Sequence, residues 1–335
     1  MLTGRHYKLG EFVFWTRRTI YVLIVLSVVP AILYQLAGLK WLTIPWGVIF
    51  LLGATVAFAA GFKTLQTYNR MQDAQQVWSS IVSSSRIWGT MCRDLVADSA
   101  SARELVYRHF AWLAALRHQL RGVMAWETAS KVYNEEYRRR YHIQEREESL
   151  QDEVARYVGP DDAARILTSR SKALQALDLQ SRETKRLLNE GIVTSSAFAD
   201  LQKVIRDFQE QQGRTERIKN FPFPRQYAFI NTLFVRIMCV LLPFGVMGEF
   251  ARLDDVVEGW AKGNMVWLGV PLSILISWMY ASLDRVGEAT ENPFEGGAND
   301  VPITRLCQEI EGDLREILGE VETPSRSREA ADIAL

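Results

Sequence analysis

Thr19–Leu39 reads TIYVLIVLSVVPAILYQLAGL, and after a single lysine Trp41–Phe62 reads WLTIPWGVIFLLGATVAFAAGF. Neither stretch carries a charge. About 20 apolar residues in a helix cross the hydrocarbon of a bilayer. Only Gly38–Lys40 separates the two stretches, so they predict a helical hairpin in a membrane. The first stretch starts late, is long, and lacks a small-x-small site before Lys40. It therefore reads as a retained span rather than a cleaved leader.

Two further apolar stretches lie far along the chain. Tyr227–Glu249 holds one charge in its middle, Arg236, and Met265–Leu283 holds none. The connection between them carries Arg252, Asp254, Asp255, Glu258 and Lys262. Four spans place both termini on one side. Arg5, Lys8, Arg17 and Arg18 precede the first span, and residues 63–225 hold 26 basic against 21 acidic side chains. The opposite loops hold only Lys40, Arg252 and Lys262. The excess of Lys and Arg marks the cytoplasmic side, so both termini and the long middle region are expected there, in a multi-pass protein of the cell inner (plasma) membrane.

The expected division follows. A cytosolic segment (1–18) leads to a transmembrane hairpin (19–62) and a cytosolic helical domain (63–224). Spans three and four (225–283), a C-terminal cytosolic segment with a helix (284–322) and a loose tail (323–335) complete it. The middle region lacks alternating β-branched runs, and its patterns are helical. Glu104–Leu116 is apolar on one face, Tyr133–Glu153 reads as a charged, solvated helix, and 163–190, 195–212 and 303–319 read as helices. The fold class is an all-α integral membrane protein. Pro30, Pro243 and Pro271 fall inside spans, where proline is tolerated. Trp15, Trp41, Trp46 and Trp260 suit the interface.

Whole-chain averages hide this segregation: 48% of residues are apolar, 23% are charged, and the net charge is zero. Zero net charge gives no electrostatic case for nucleic acid. Cys92, Cys239 and Cys307 form no CxxC and no disulfide framework. No Walker loop, GxGxxG or HExxH occurs. His6, His109, His118 and His142 stand in no ligand spacing, and Ser79–Ser85 has no partnered base. No enzyme, cofactor or metal is expected. Arg138–Arg140 reads as a solvated face.

Span two carries two stripes at four-residue spacing. Gly53, Ala57 and Gly61 are small enough to let helices approach closely. Ala54, Phe58 and Phe62 form the neighbouring stripe. In a ring of identical helices one stripe would pack and the other would line the axis, where apolar rings gate by dewetting.

The chain resembles the bestrophin family, most closely its bacterial members, over roughly residues 5–320. The likeness is carried by Gly61-Phe62-Lys63, Tyr68-Asn69-Arg70, Trp78, Phe223-Pro224, Leu242-Pro243-Phe244, Asn292-Pro293-Phe294 and Asn299-Asp300-Val301-Pro302-Ile303, in that order around four spans. The resemblance implies a homopentamer with an ion pore on its five-fold axis. It also implies a hydrophobic neck on span two and a second constriction between about Ile192 and Ile205. Carried over through the Gly-Phe match, the neck residues are Ala54, Phe58 and Phe62, with Ala54 smaller than the residue expected there. Arg70, Pro243, Asn292, Pro293, Phe294 and Asp300 belong to the family motifs.

Calcium-activated animal members carry a dense acidic run after Asn-Pro-Phe. Here it is Glu295-Gly296-Gly297-Ala298-Asn299-Asp300, two acids where a hard cation needs many oxygens. No calcium activation of the animal type is expected, and Asp300 reads as the N-cap of the following helix. Animal members pass anions, and bacterial members can prefer monovalent cations. Phe58 presents an aromatic edge of partial positive charge to a passing anion. Arg236 is an intramembrane charge that faces a wet interior, snorkels, or pairs with Asp284 or Glu249. The expectation is a passive channel for chloride or other monovalent anions. Its partners are the ion, the lipid bilayer and further copies of itself. The alternatives are a sodium or potassium channel of the same fold, and a non-conducting membrane scaffold or sensor.

Overall fold

The computed structural model describes residues 8–128, 131–138, 143–254, 256–258 and 262–320. Arg5, His6, Arg139, Arg140, His142, Asp255, Trp260 and the tail 323–335 lie outside the described residues. Helices and their connections account for everything described, and no strand occurs among these residues. The chain divides into two compact units. One comprises the described residues up to Asn69 together with Phe223–Glu291, and the other comprises Arg70–Pro222 with the described residues from Asn292 onward.

The first unit contains α1 (Leu9–Gln35), the N-terminal part of α2 (Trp46–Leu95), α10 (Arg225–Leu253) and α11 (Met265–Ala289). All four are long and apolar enough to cross a membrane. The α1–α2 connection turns at Gly38, whose φ of 70° suits glycine. Pro30, Pro243 and Pro271 all lie inside helices. Leu23, Ile49, Val56, Val235, Met238, Leu242 and Val246 form one buried cluster. Two glycines set its closest approaches. A Cβ on Gly245 would lie 2.5 Å from Ile49 Cγ1, and one on Gly53 would lie 3.1 Å from Met238 Cε. The outward faces are strongly apolar: Tyr21, Val25, Phe229, Leu272 and Met279 are all exposed. A water-facing surface does not carry so continuous an apolar coat, and a bilayer accounts for it.

The second unit is built around α3 (Ser99–Arg121), which begins where the Asp98 carboxylate accepts from Ser101 N at 2.8 Å. The sequence predicts one apolar face here, but every residue from His109 to Arg117 is buried. The reason is packing on several sides, by α8 (Lys172–Asn189), α6 (Leu150–Ala155), α9 (Ser195–Asn220) and α12 (Ile303–Ile317).

Two expectations are corrected. Tyr133–Glu153 is not one solvated helix. Its described residues form α4 (Val132–Arg138), α5 (Gln144–Glu147) and the start of α6. The chain breaks because its carboxylates turn inward: Glu153 pairs with Arg117, and the Glu145 side chain is 1% exposed beside the same arginine. Residues 163–190 are also two helices, α7 (Pro160–Thr168) and α8. Thr168 and Ser169 hydroxyls donate back to the Ala164 and Arg165 carbonyls and end the first of them.

The two kinds of helical glycine should respond oppositely to alanine. Gly245→Ala must displace Ile49 and should destabilise the protein by about 1–3 kcal/mol. Gly213→Ala in α9 meets nothing within 4 Å and should stabilise it by about 0.5–1 kcal/mol. Thermal unfolding in detergent reads both, and equal shifts would contradict the packing described.

Candidate functional site

Helical periodicity gives α2 two distinct faces within the first unit. At about 100° per residue, and with Lys63 taken as zero, Val56, Thr67, Ala60 and Gly53 fall within about 80° of it. Val56, Ala60, Lys63 and Thr67 are each at most 3% exposed, and Gly53 is buried under Met238 and Tyr280. Ala54, Phe58 and Phe62 fall about 180°, 140° and 100° away, around the other side. All three are exposed, Phe58 at 80% and Phe62 at 49%. The small-residue stripe drifts between the faces: Gly53 is packed within the chain, whereas Ala57 and Gly61 are exposed. A Cβ on Gly61 would meet nothing within 4 Å.

The buried face is held by polar groups. Lys63 Nζ reaches Asp284 Oδ1 at 2.8 Å, and Asn231 Nδ2 donates to the same oxygen at 2.7 Å. Tyr280 Oη donates to Gly53 O at 3.1 Å. The sequence offers Asp284 and Glu249 as partners for Arg236, and neither serves. Asp284 is taken by Lys63, and Glu249 pairs with Arg252 at 2.8 Å. Arg236 is exposed on α10, between Asn231 and Met238. The Lys63–Asp284 pair is the feature that sequence reasoning missed. Its signal was a charge directly after the Gly-Phe pair, with an acid one residue beyond the fourth apolar run.

In the second unit Asn292, Pro293, Phe294 and Asp300 lie in one connection before α12, and all four are buried. Val301 N donates to Pro293 O at 3.1 Å. Asn292 Nδ2 donates to Glu295 Oε2 at 3.4 Å, and Thr128 Oγ1 donates to Glu295 Oε1 at 3.2 Å. Asp300 is not the N-cap of α12, whose cap position is Pro302. Its carboxylate turns back to accept from Gly296 N at 2.7 Å and Gly297 N at 2.9 Å, with Arg121 Nη1 at 3.9 Å. Two adjacent amides in a glycine turn hold the carboxylate in place of the helix terminus. Burial pushes the Asp300 carboxyl up to about 6, against the pull of Arg121.

Nearby, Lys219 pairs with Glu127, both buried, and burial lowers the ammonium from its ordinary range. Arg70 donates to the Phe221 and Ile218 carbonyls at the end of α9. His109 shares a 2.9 Å hydrogen bond with Ser85 Oγ, and burial lowers its pKa to about 3. His118 contacts Glu153 at 2.8 Å. All three cysteines are buried. No cluster of three or more His, Cys, Asp or Glu residues among those described is placed to hold a metal ion. Between Ile192 and Ile205, Val193, Leu201, Val204 and Ile205 belong to the core, and Ile192 is half-buried.

Residues 13–316 match the family model described as Bacterial/Fungal Bestrophin protein. The chain belongs to the bestrophin family. Among its relatives is the voltage-dependent anion channel-forming protein YneE of Escherichia coli K12, 25% identical over 293 residues, covering 88% of this chain and 82% of the relative. The voltage-dependent anion channel-forming protein mll4386 of Mesorhizobium japonicum is 27% identical over 312 residues, covering 88% and 87%. The crystal structure of a bacterial bestrophin homolog from Klebsiella pneumoniae superposes with a TM-score of 0.76 at 21% identity, over 91% of this chain and 99% of that one. The bestrophin fold and its membrane setting follow.

The Asp300 loop yields a pH prediction. The folded chain holds this proton to higher pH than the unfolded chain, so stability falls as pH rises through the interval between the two pKa values. Relative to Asp300→Asn, the wild type should lose on the order of 2–3 kcal/mol between pH 4 and 6, with little change above. Unfolding measured across that range checks it, and a pH-independent difference would contradict it.

Proposed function

We propose that the chain is a passive channel for chloride or other monovalent anions, assembled as a homopentamer in the bacterial inner membrane with both termini in the cytoplasm. In this reading the first unit is the transmembrane part, the second is cytosolic, and Ala54, Phe58 and Phe62 line the neck. The observation that carries it is the two-faced α2: Phe58 is 80% exposed while Val56, two residues away, is 0% exposed. A large aromatic held outward on a helix whose other face is tightly packed is suited to a narrow passage formed with further copies. Such an apolar ring is closed to ions unless it wets.

Anions are favoured over cations for two reasons. The curated relatives named above are anion channel-forming proteins, and the exposed Phe58 and Phe62 can turn ring edges of partial positive charge to an anion, with Arg236 exposed on α10. No cofactor and no catalytic step enters. The smaller Ala54 leaves the outer end of the neck wider, so that Phe58 and Phe62 form its narrow part.

Chloride efflux from reconstituted, KCl-loaded liposomes tests this. The wild type should release chloride well above protein-free vesicles, and Phe58→Ala should raise the rate about threefold or more by widening the ring. Efflux at the protein-free level, or an unchanged rate in Phe58→Ala, would contradict the assignment.

A further inference from the structure

We propose that the Lys63–Asp284 pair is the positioning element of the neck: it fixes the rotation of α2 about its own axis and so sets how far the Phe58 and Phe62 rings project. The inference rests on the reading of those rings as the neck.

Three groups converge on one atom. Asp284 Oδ1, on α11, receives Lys63 Nζ at 2.8 Å from α2, with Asn231 Nδ2 at 2.7 Å and Thr232 Oγ1 at 3.3 Å from α10. A single carboxylate oxygen therefore ties three helices together. The lysine is 3% exposed, so water does not compete for it. Asn231 gives its amide to this oxygen, while its own buried Oδ1 has no partner. The lysine stem runs past Gly287, where a Cβ would lie in ordinary contact, 3.7 Å from Lys63 Cε.

The pair sits immediately beside the neck in sequence and roughly opposite it in direction. Phe62 lies about 100° of helix rotation from Lys63 and Phe58 about 140°. A rotation of about 20° would swing a ring at the helix surface by about 2 Å. The other polar contacts on this face are neutral, Tyr280 to Gly53 above and Thr290 Oγ1 to Thr67 Oγ1 at 3.3 Å below. Breaking only the charged contact leaves the remaining charge buried and uncompensated, which favours rotating α2 until that charge finds water.

The test places a reporter on the outward face. The three native cysteines are buried, so a thiol introduced by Phe58→Cys can be followed alone. Its rate of modification by a small, charged methanethiosulfonate is measured in full-length protein reconstituted in vesicles. The backgrounds are the native pair, Asp284→Asn, Lys63→Arg, and the exchange Lys63→Asp with Asp284→Lys. Asp284→Asn should change the rate about fivefold or more, and the exchange should return it to within about twofold of the native background. Were the pair merely stabilising, breaking it would lower the unfolding temperature and leave the rate alone. If Asp284→Asn yields no folded protein, Lys63→Arg decides, with an expected change of about threefold from the longer, planar head. Rates within about twofold in every folded background, or no reaction in any, would overturn the proposal. Chloride efflux of the unmodified wild type is measured alongside. Its absence would defeat the channel reading, while the thiol rates would still decide the role of the pair.

Discussion

A lysine buried among apolar helices has to be answered inside the bundle, because neither lipid nor water can solvate it there. Lys63 is answered by Asp284, and much of the first unit follows from that requirement. The carboxylate is brought in by α11 just past its fourth-span segment, and Asn231 and Thr232 of α10 complete its coordination. The lysine stem passes alongside Gly287 of the same helix as the carboxylate. With this side of α2 committed, Ala54, Phe58 and Phe62 have only the outward side. The same contact explains Arg236: its expected acid is already in use, and the arginine is left exposed.

The second unit solves a related problem with a larger ionic interior. Arg117 gathers Glu145 and Glu153, His118 shares Glu153, and Lys219 holds Glu127. Burial raises the Glu153 carboxyl, but the His118 and Arg117 contacts outweigh it and leave the group below its ordinary range. The Asn-Pro-Phe loop joins this interior through Arg121, so its two acids are already served by protein donors. A loop organised this way has its carboxylate oxygens turned onto glycine amides, a threonine and an asparagine.

The sequence makes the fold class legible because bilayer thickness imposes a length and composition that nothing else mimics. The charge-free runs on either side of Gly38–Lys40, and the two runs after Phe223-Pro224, each appear as a helix long enough to cross. The stripes on span two were legible for the same reason, since one helix fixes its own angular positions. What the sequence hid was pairing between distant segments. Glu145 and Glu153 read as surface charge until α3 supplies their arginines from 24 or more residues upstream. Asp300 sits where helix caps usually stand, and only the folded loop reveals two nearer glycine amides. By sequence Arg236 was the basic partner considered for Asp284, and the folded chain gives that carboxylate to Lys63 instead.

We propose that an anion-selective pore passes between the Phe58 and Phe62 rings. The reversal potential of the purified, reconstituted protein in a planar bilayer under a KCl gradient decides it. A potential displaced toward the chloride equilibrium value is the predicted result. Displacement toward the potassium value would contradict it.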